Sequence, residues 1–221
     1  MGNSLMTFNG NILAVNNKEI SWQTSTDNPL IAFWPFEDNM VDVINGKNFP
    51  EGPVFVPGKV GRAVNTSGQS AISDTDINNT LSSNFSLSCW VNITNSAQPI
   101  PFRAIKTPST VCFSIAFGVD TSAHNVITYK GSNTSIYWNV YHPTLQNKWT
   151  HIVLTRNNDG IGKAYFNTEV FDWDGNILIP NTIEKFGVGY SSPCQVDQLR
   201  LYGGVINAAD VSTLYNNGNG I

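Results

Sequence analysis

The chain has 221 residues, a formal net charge of -4 and only 13% charged residues, about half the share of roughly 25% usual for globular chains. With a pI near 5.2 and no Lys/Arg cluster, it lacks the basic footprint that a nucleic-acid backbone needs, and no run reaches transmembrane length. Abundant Asn, Ser, Thr and Gly in place of Glu/Lys/Ala runs predict a β-rich chain with a neutral polar surface, built as one main domain behind a short leader.

Residues 1–10 carry neither a positive n-region nor an apolar core segment, so no secretory signal is expected. Three short apolar runs follow one another: Leu5, Met6 and Phe8, then Ile12, Leu13 and Val15, then Ile20 and Trp22. Asn9-Gly10 and Asn16-Asn17 separate them as turns, which predicts a small hairpin unit. So few residues cannot bury enough surface to fold alone. The unit must either add to the main domain or dock on another protein by edge pairing, and residues 1–27 are expected to be an anchoring arm and linker, with Leu5, Phe8, Ile12, Leu13 and Val15 as its contact residues.

Residues 28–221 are expected to form the main domain. Leu30 to Asp38 reads as the first strong strand of the main domain, with Pro35 confining it to an edge or a break in pairing. In the stretch from Val54 to Val64, Pro57-Gly58 signals a type II turn and Gly61 a close backbone approach. Phe85, Leu87, Cys89, Val91 and Ile93 alternate with Ser86, Ser88, Trp90 and Asn92, a period of two that predicts a strand with one face on a core.

Val111 to Val119 alternates in the same way, with a second face of residues small enough to lie under another layer. Two hairpins follow, Val126 to Tyr141 and Trp149 to Thr168, the second turned by Asp159-Gly160. Val196 to Tyr202 is a strand. After it the pattern becomes helical, with Asn207 as cap, Ile206 and Val211 as a hydrophobic staple, and Gly218 beyond the end. Such a list of strands predicts an all-β, two-sheet antiparallel sandwich with one short C-terminal helix.

The order of motifs resembles the laminin-G-like and pentraxin-like branch of the concanavalin-A-type jelly rolls. The matching pieces include Ala32 to Glu37, Pro57 to Ala63, Phe85 to Val91, Trp149 to Val153, Phe186 to Gly189, Val196 to Tyr202 and Ala208 to Asn217. They run in family order over roughly residues 30 to 218, and order across so much chain is more telling than any one piece. The resemblance implies a jelly roll. Two departures stand out: Asn167-Thr168 replaces the family's Asn-Gly, which puts a tight turn there in doubt, and Gln198 follows Asp197 where the family commonly has an acid, which weakens a calcium site.

Strand parity groups Asp197 with Leu199 and Leu201, on the core side, where a lone charge is costly and needs a partner. One candidate is a structural calcium held by Asp197, Asp42 and backbone oxygens; the other is Arg62 or backbone amides. Beyond that calcium no cofactor is expected. Cys89, Cys112 and Cys194 read as buried free thiols, and His151 as a packed structural histidine. The glutamates are scattered and no Gly-x-Ser-x-Gly elbow occurs, so a hydrolase is not expected.

Tyr137, Trp138 and Tyr141 form the candidate stacking platform for carbohydrate, since aromatic faces beside Asn and Thr donors suit sugars. The leader resembles the attachment arms of phage capsid-decoration and tail proteins. The expected function is thus a non-enzymatic virion structural protein, assembled in the host cytoplasm, with other virion proteins, host-surface glycans and copies of itself as partners. The alternative is an extracellular lectin-like module. Neither reading involves a membrane or nucleic acid.

Overall fold

A computed structural model describes residues 28–50, 53–66, 84–93, 101–103, 147–172, 185–189 and 193–221 with their side chains, and the strand backbone alone at 5–8, 11–16, 19–22, 71–72, 104–106, 110–119, 125–131, 137–142 and 173. In chain order the strands are β1 (Leu5–Phe8), β2 (Asn11–Asn16), β3 (Glu19–Trp22), β4 (Leu30–Trp34), β5 (Val54–Pro57), β6 (Arg62–Asn65), β7 (Ala71–Ile72) and β8 (Phe85–Asn92). They continue with β9 (Phe102–Lys106), β10 (Thr110–Val119), β11 (Asn125–Gly131), β12 (Tyr137–His142), β13 (Trp149–Arg156), β14 (Gly162–Phe166), β15 (Glu169–Trp173), β16 (Lys185–Val188) and β17 (Gln195–Tyr202). Helix α1 (Ala208–Tyr215) and a 3-10 turn (Asn216–Gly218) close the chain.

The body is the expected antiparallel two-sheet jelly roll. One sheet has eight strands, β15-β14-β13-β8-β17-β6-β5 with β4 added against β17, and the other has six, β12-β11-β10-β9-β16-β7. The leader strands form a separate three-stranded sheet, β1-β2-β3.

Alternation decides what lies between the body's sheets. From the larger sheet, Phe85, Leu87, Cys89 and Val91 of β8 join Ile152, Leu154, Val196, Leu199 and Leu201; from the smaller come Phe102, Phe186 and Val188. Trp34 bridges the layers, its ring 4.9 Å from Phe49 and 6.3 Å from Phe186. The opposite face of β8 is buried too, because α1 covers it. Val211 and Leu214 pack with Val153, Tyr165, Tyr202 and Ile206 in a second apolar cluster.

The helix starts where the sequence places it. The Asn207 side chain accepts from the amides of Ala209 and Asp210, at 2.8 and 3.1 Å, while Asp210 accepts from the Asn207 amide at 2.9 Å. Together they satisfy donors that helix geometry leaves orphaned.

Three local expectations need correction. The β5–β6 turn closes by a 3.0 Å bond from the Gly58 amide to the Gly61 carbonyl, and the left-handed residue is Gly61, φ +57. A Cβ at Gly61 would run into the Glu37 carboxylate, so the close approach expected there is real. Between β13 and β14, Gly160 has positive φ and Asp159 does not; the Asn157 side chain shapes that loop by accepting from the amides of Asp159 and Ile161. Between β14 and β15 the tight turn exists despite the missing glycine, because Asn167 adopts φ 59, a left-handed conformation that Asn tolerates better than most residues.

Candidate functional site

Residues directly paired across antiparallel strands share a face of the sheet, so the register of the six-stranded sheet sorts its residues. Phe102, a core residue, pairs with Val188 and Ile115; Ile115 pairs with Tyr129, and Tyr129 with Trp138. That row belongs to the core face. The next row runs from Gly187 through Arg103, Ser114 and Lys130 to Tyr137. It belongs to the opposite face, as do the rows Ala116–Thr128–Asn139 and Gly118–Val126–Tyr141.

The face away from the core thus has Ser114, Ala116 and Gly118 along its middle strand. Tyr137, Asn139 and Tyr141 line its edge strand, β12. At one end Gly187 makes room for Arg103, since a Cβ there would stand 2.8 Å from the Arg103 Nε. Arg103 itself is 9% exposed.

The sequence grouping of Tyr137, Trp138 and Tyr141 is therefore divided. Tyr137 and Tyr141 share the outer face, and Trp138 falls in the Phe102 row. Their side chains, like that of Cys112, lie outside the described residues. The signal for the rest of the face was the small residues of β10 at alternate positions, which suggested a covered layer. Nothing in the sequence pointed to Arg103.

The two metal candidates are held by different backbone segments. Asp42 is buried, and its Oδ1 accepts from the amides of Phe33 and Ile44 at 2.9 and 3.0 Å, while its Oδ2 accepts from those of Asn45 and Lys47 at 3.2 and 3.0 Å. A carboxylate has about four acceptor directions, and here four amides use them. The 40–47 loop is pinned to β4 as a result.

Asp197 corrects a parity argument. Gln198, at φ 52, makes a bulge between Asp197 and Arg200, and the extra residue shifts the face. Asp197 pairs with Trp90, away from the core, while Leu199 and Leu201 remain inside. Its Oδ2 accepts from the amides of Lys59 and Val60 at 2.8 and 2.9 Å; its Oδ1 is buried without a hydrogen-bond partner.

Burial pushes the Asp197 carboxyl up to about 7, against the pull of the Val60 and Lys59 amides and with some help from the Glu37 charge. The partner is the amide pair; Arg62 instead bonds Asp38, Nε to Oδ1 at 2.9 Å. Among the described residues no group of three or more His, Cys, Asp or Glu is placed to hold a metal.

Between β8, β13, β17 and the C-terminal helix lies a polar layer. His151 Nε2 is 2.8 Å from Ser88 Oγ, and the imidazole lies tilted 5.1 Å from the Trp90 ring and stacked 6.3 Å from that of Tyr215. Serine beside histidine is the beginning of a nucleophile–base pair, but His151 is 1% exposed and Ser88 0%. Neither side chain reaches the surface among the described residues. Burial, with the Arg200 charge, lowers His151 to about 3, which makes it a neutral packing residue. Cys89 and Cys194 are buried free thiols, both raised by burial, Cys194 to about 12.

The family model described as Laminin_G_3, concanavalin A-like lectin/glucanases superfamily, matches residues 65–212. No curated protein matches significantly. Among solved structures, domain 4 of AbnA, a GH43 extracellular arabinanase from Geobacillus stearothermophilus, in complex with arabinotriose, is similar with TM-score 0.63 at 20% identity, over 85% of this chain and 98% of that one.

The binding domain of Paraclostridial Mosquitocidal Protein 1 is similar with TM-score 0.66 at 16% identity, over 86% of this chain and 52% of that one. The binding domain of Botulinum Neurotoxin DC in complex with SialylT is similar with TM-score 0.62 at 17% identity, over 86% and 51%. The chain spans about half the length of these toxin domains.

Proposed function

We propose that this chain, which belongs to the concanavalin A-like lectin/glucanases superfamily, is a non-catalytic carbohydrate-binding module whose sugar site is the outer face of the six-stranded sheet. The observation that carries the reading is the register that puts Tyr137 and Tyr141 on one face, beside Asn139 and a middle strand of Ser114, Ala116 and Gly118. Small residue types suit a close approach of ligand to the sheet, and aromatic residue types on the edge strand suit stacking of a sugar ring. Asn139, Thr128 and Ser114 add neutral donors and acceptors for hydroxyls.

The three rows contain no Asp or Glu, whereas glycoside hydrolysis ordinarily uses a pair of carboxyl groups flanking the scissile bond. That supports binding over cleavage. Two structural relatives add support from their own ligands: one was solved with arabinotriose and another with SialylT. A glycan array tests the proposal. The intact chain is expected to bind a defined set of oligosaccharides and to lose them on Tyr137→Ala with Tyr141→Ala, and an array without binding rejects the reading.

The second reading concerns setting: a virion structural protein held by residues 1–27 and displaying the domain toward host-surface glycans. The leader's strands form a sheet of their own among the described residues, which favours it. Mass spectrometry of purified particles is the test; presence in intact particles supports it, and absence leaves the extracellular lectin.

A further inference from the structure

We infer that the layer between the large sheet and the C-terminal turn is a binding site for ordered water, centred on one molecule shared by the Trp90 indole and the Asp197 carboxyl. Register puts His151, Trp90 and Asp197 in one row across β13, β8 and β17, with Asn92 two residues further along the same face of β8. Each of the four brings a buried polar atom that finds no hydrogen-bond partner in the chain: Trp90 Nε1, His151 Nδ1, Asp197 Oδ1 and Asn92 Oδ1. Native structures leave few such atoms unmet, and each one left so forfeits its hydration. Four in one layer, rather than scattered, share a cause.

The layer is closed from above. The Tyr215 ring stacks 5.7 Å from that of Trp90 and 6.3 Å from that of His151, and Lys59 Nζ stands 5.0 Å from the Trp90 ring centre. Val60 lies at both ends of the bridge. Its amide donates to Asp197 Oδ2 at 2.9 Å, and a Cβ on Gly220 would meet its Cγ2 at 2.8 Å and Trp90 Nε1 at 3.0 Å. The indole nitrogen and the carboxyl thus have Val60 as a common neighbour.

The chemistry of the four atoms selects the occupant. An indole N–H only donates, an amide oxygen only accepts, a carboxyl oxygen accepts or donates with its charge, and a neutral imidazole nitrogen does one or the other with its tautomer. A cation would meet the positive end of the indole N–H, and calcium wants about six to eight oxygens, whereas among the described residues no group of three or more His, Cys, Asp or Glu is placed to hold a metal. An anion would meet the carboxylate. Water both donates and accepts, and since a buried molecule makes about three hydrogen bonds, about one or two molecules serve the four atoms. Water also turns with the charge on Asp197: it donates to the carboxylate and accepts from the acid, while the indole N–H donates to it in both states.

The test is a pair of water-selective Overhauser spectra, laboratory-frame and rotating-frame, on the intact ¹⁵N-labelled chain. The Trp90 indole signal is assigned by its loss in Trp90→Phe or, where that variant does not fold, by connectivities within the wild-type ring. The Trp90 N–H is expected to show a cross-peak to water of opposite sign in the two spectra, the mark of a held molecule as against proton exchange. Trp34, whose Nε1 donates to the Lys47 carbonyl at 2.7 Å, is expected to show none. A crystal structure of the same chain is expected to hold a water within about 2.7–3.2 Å of both Trp90 Nε1 and Asp197 Oδ1. The inference is overturned by a Trp90 N–H without that cross-peak, by a direct hydrogen bond from Nε1 to Oδ1, or by a peak about 2.3–2.6 Å from Oδ1 that a chelator removes.

Discussion

Two buried ionisable groups on the outer side of the large sheet have opposite effects on stability. Asp197 has a folded pKa raised to about 7, so its stabilising contribution is complete below its unfolded value near 4 and is lost as pH rises through 7. His151 has a folded pKa lowered to about 3, so its contribution is present above about 6.5 and is lost as pH falls toward 3. Between about pH 4 and 6.5 the slopes cancel. Asp197→Asn should expose the histidine slope: stability in urea then rises by about 1.4 kcal/mol per pH unit up to 6.5, where wild type is nearly flat. A variant as flat as wild type would show that one of the two assignments is wrong.

Asp42 presents a simpler case. Asn would keep one acceptor oxygen and turn an amine toward two backbone amides, so Asp42→Asn should cost about 2–4 kcal/mol in chemical denaturation. With its four acceptor directions occupied by amides, a chelator is expected to leave the melting temperature unchanged; a drop of several degrees would instead restore a calcium at this loop.

At the scale of elements, the sequence read well wherever one face met one core. Strand β8 was legible because Phe85 to Ile93 alternates without interruption, and α1 because Asn207, Ile206 and Val211 make its start a local matter. Asn207→Ala should therefore lower stability by about 1 kcal/mol, measured by urea unfolding, with no effect on sugar binding. Strands β9, β15 and β16 were not read as independent strands, since each is only four or five residues long, and β16 pairs with β7 and β9, far away in sequence.

The bulge at Gln198 was invisible for another reason. Unbroken alternation from Val196 to Tyr202 places Asp197 inside, and only tertiary contact with Lys59 and Val60 makes the extra residue worthwhile. Gly61 is where local and tertiary demands coincide: φ +57 and the nearby Glu37 carboxylate both exclude a side chain. Gly61→Ala should cost about 1–2 kcal/mol by the same measurement, through strain and contact together.

At the scale of the whole molecule, the two-sheet sandwich class and its one C-terminal helix followed from the sequence, whereas the order of strands within the sheets did not and the candidate site followed only in part. The aromatic run from Tyr137 to Tyr141 stood out, but a cluster in sequence is not a cluster on a face. Adjacent residues of a strand point to opposite sides, and it took pairing across four strands to put Trp138 with Phe102 and the two tyrosines with Ser114 and Gly118. The proposed division of labour follows: the core face of the six-stranded sheet holds the layers together, and the other face is assigned to the ligand.

Titration calorimetry of the intact chain with an oligosaccharide picked from the array, run in parallel on Tyr141→Ala and Trp138→Ala, tests that division most directly. The account predicts that Tyr141→Ala weakens binding about tenfold, the loss of one stacking contact of roughly 1.4 kcal/mol, with an unchanged melting temperature, while Trp138→Ala lowers the melting temperature by several degrees. Unaltered affinity in Tyr141→Ala, together with lost affinity and full stability in Trp138→Ala, would contradict it.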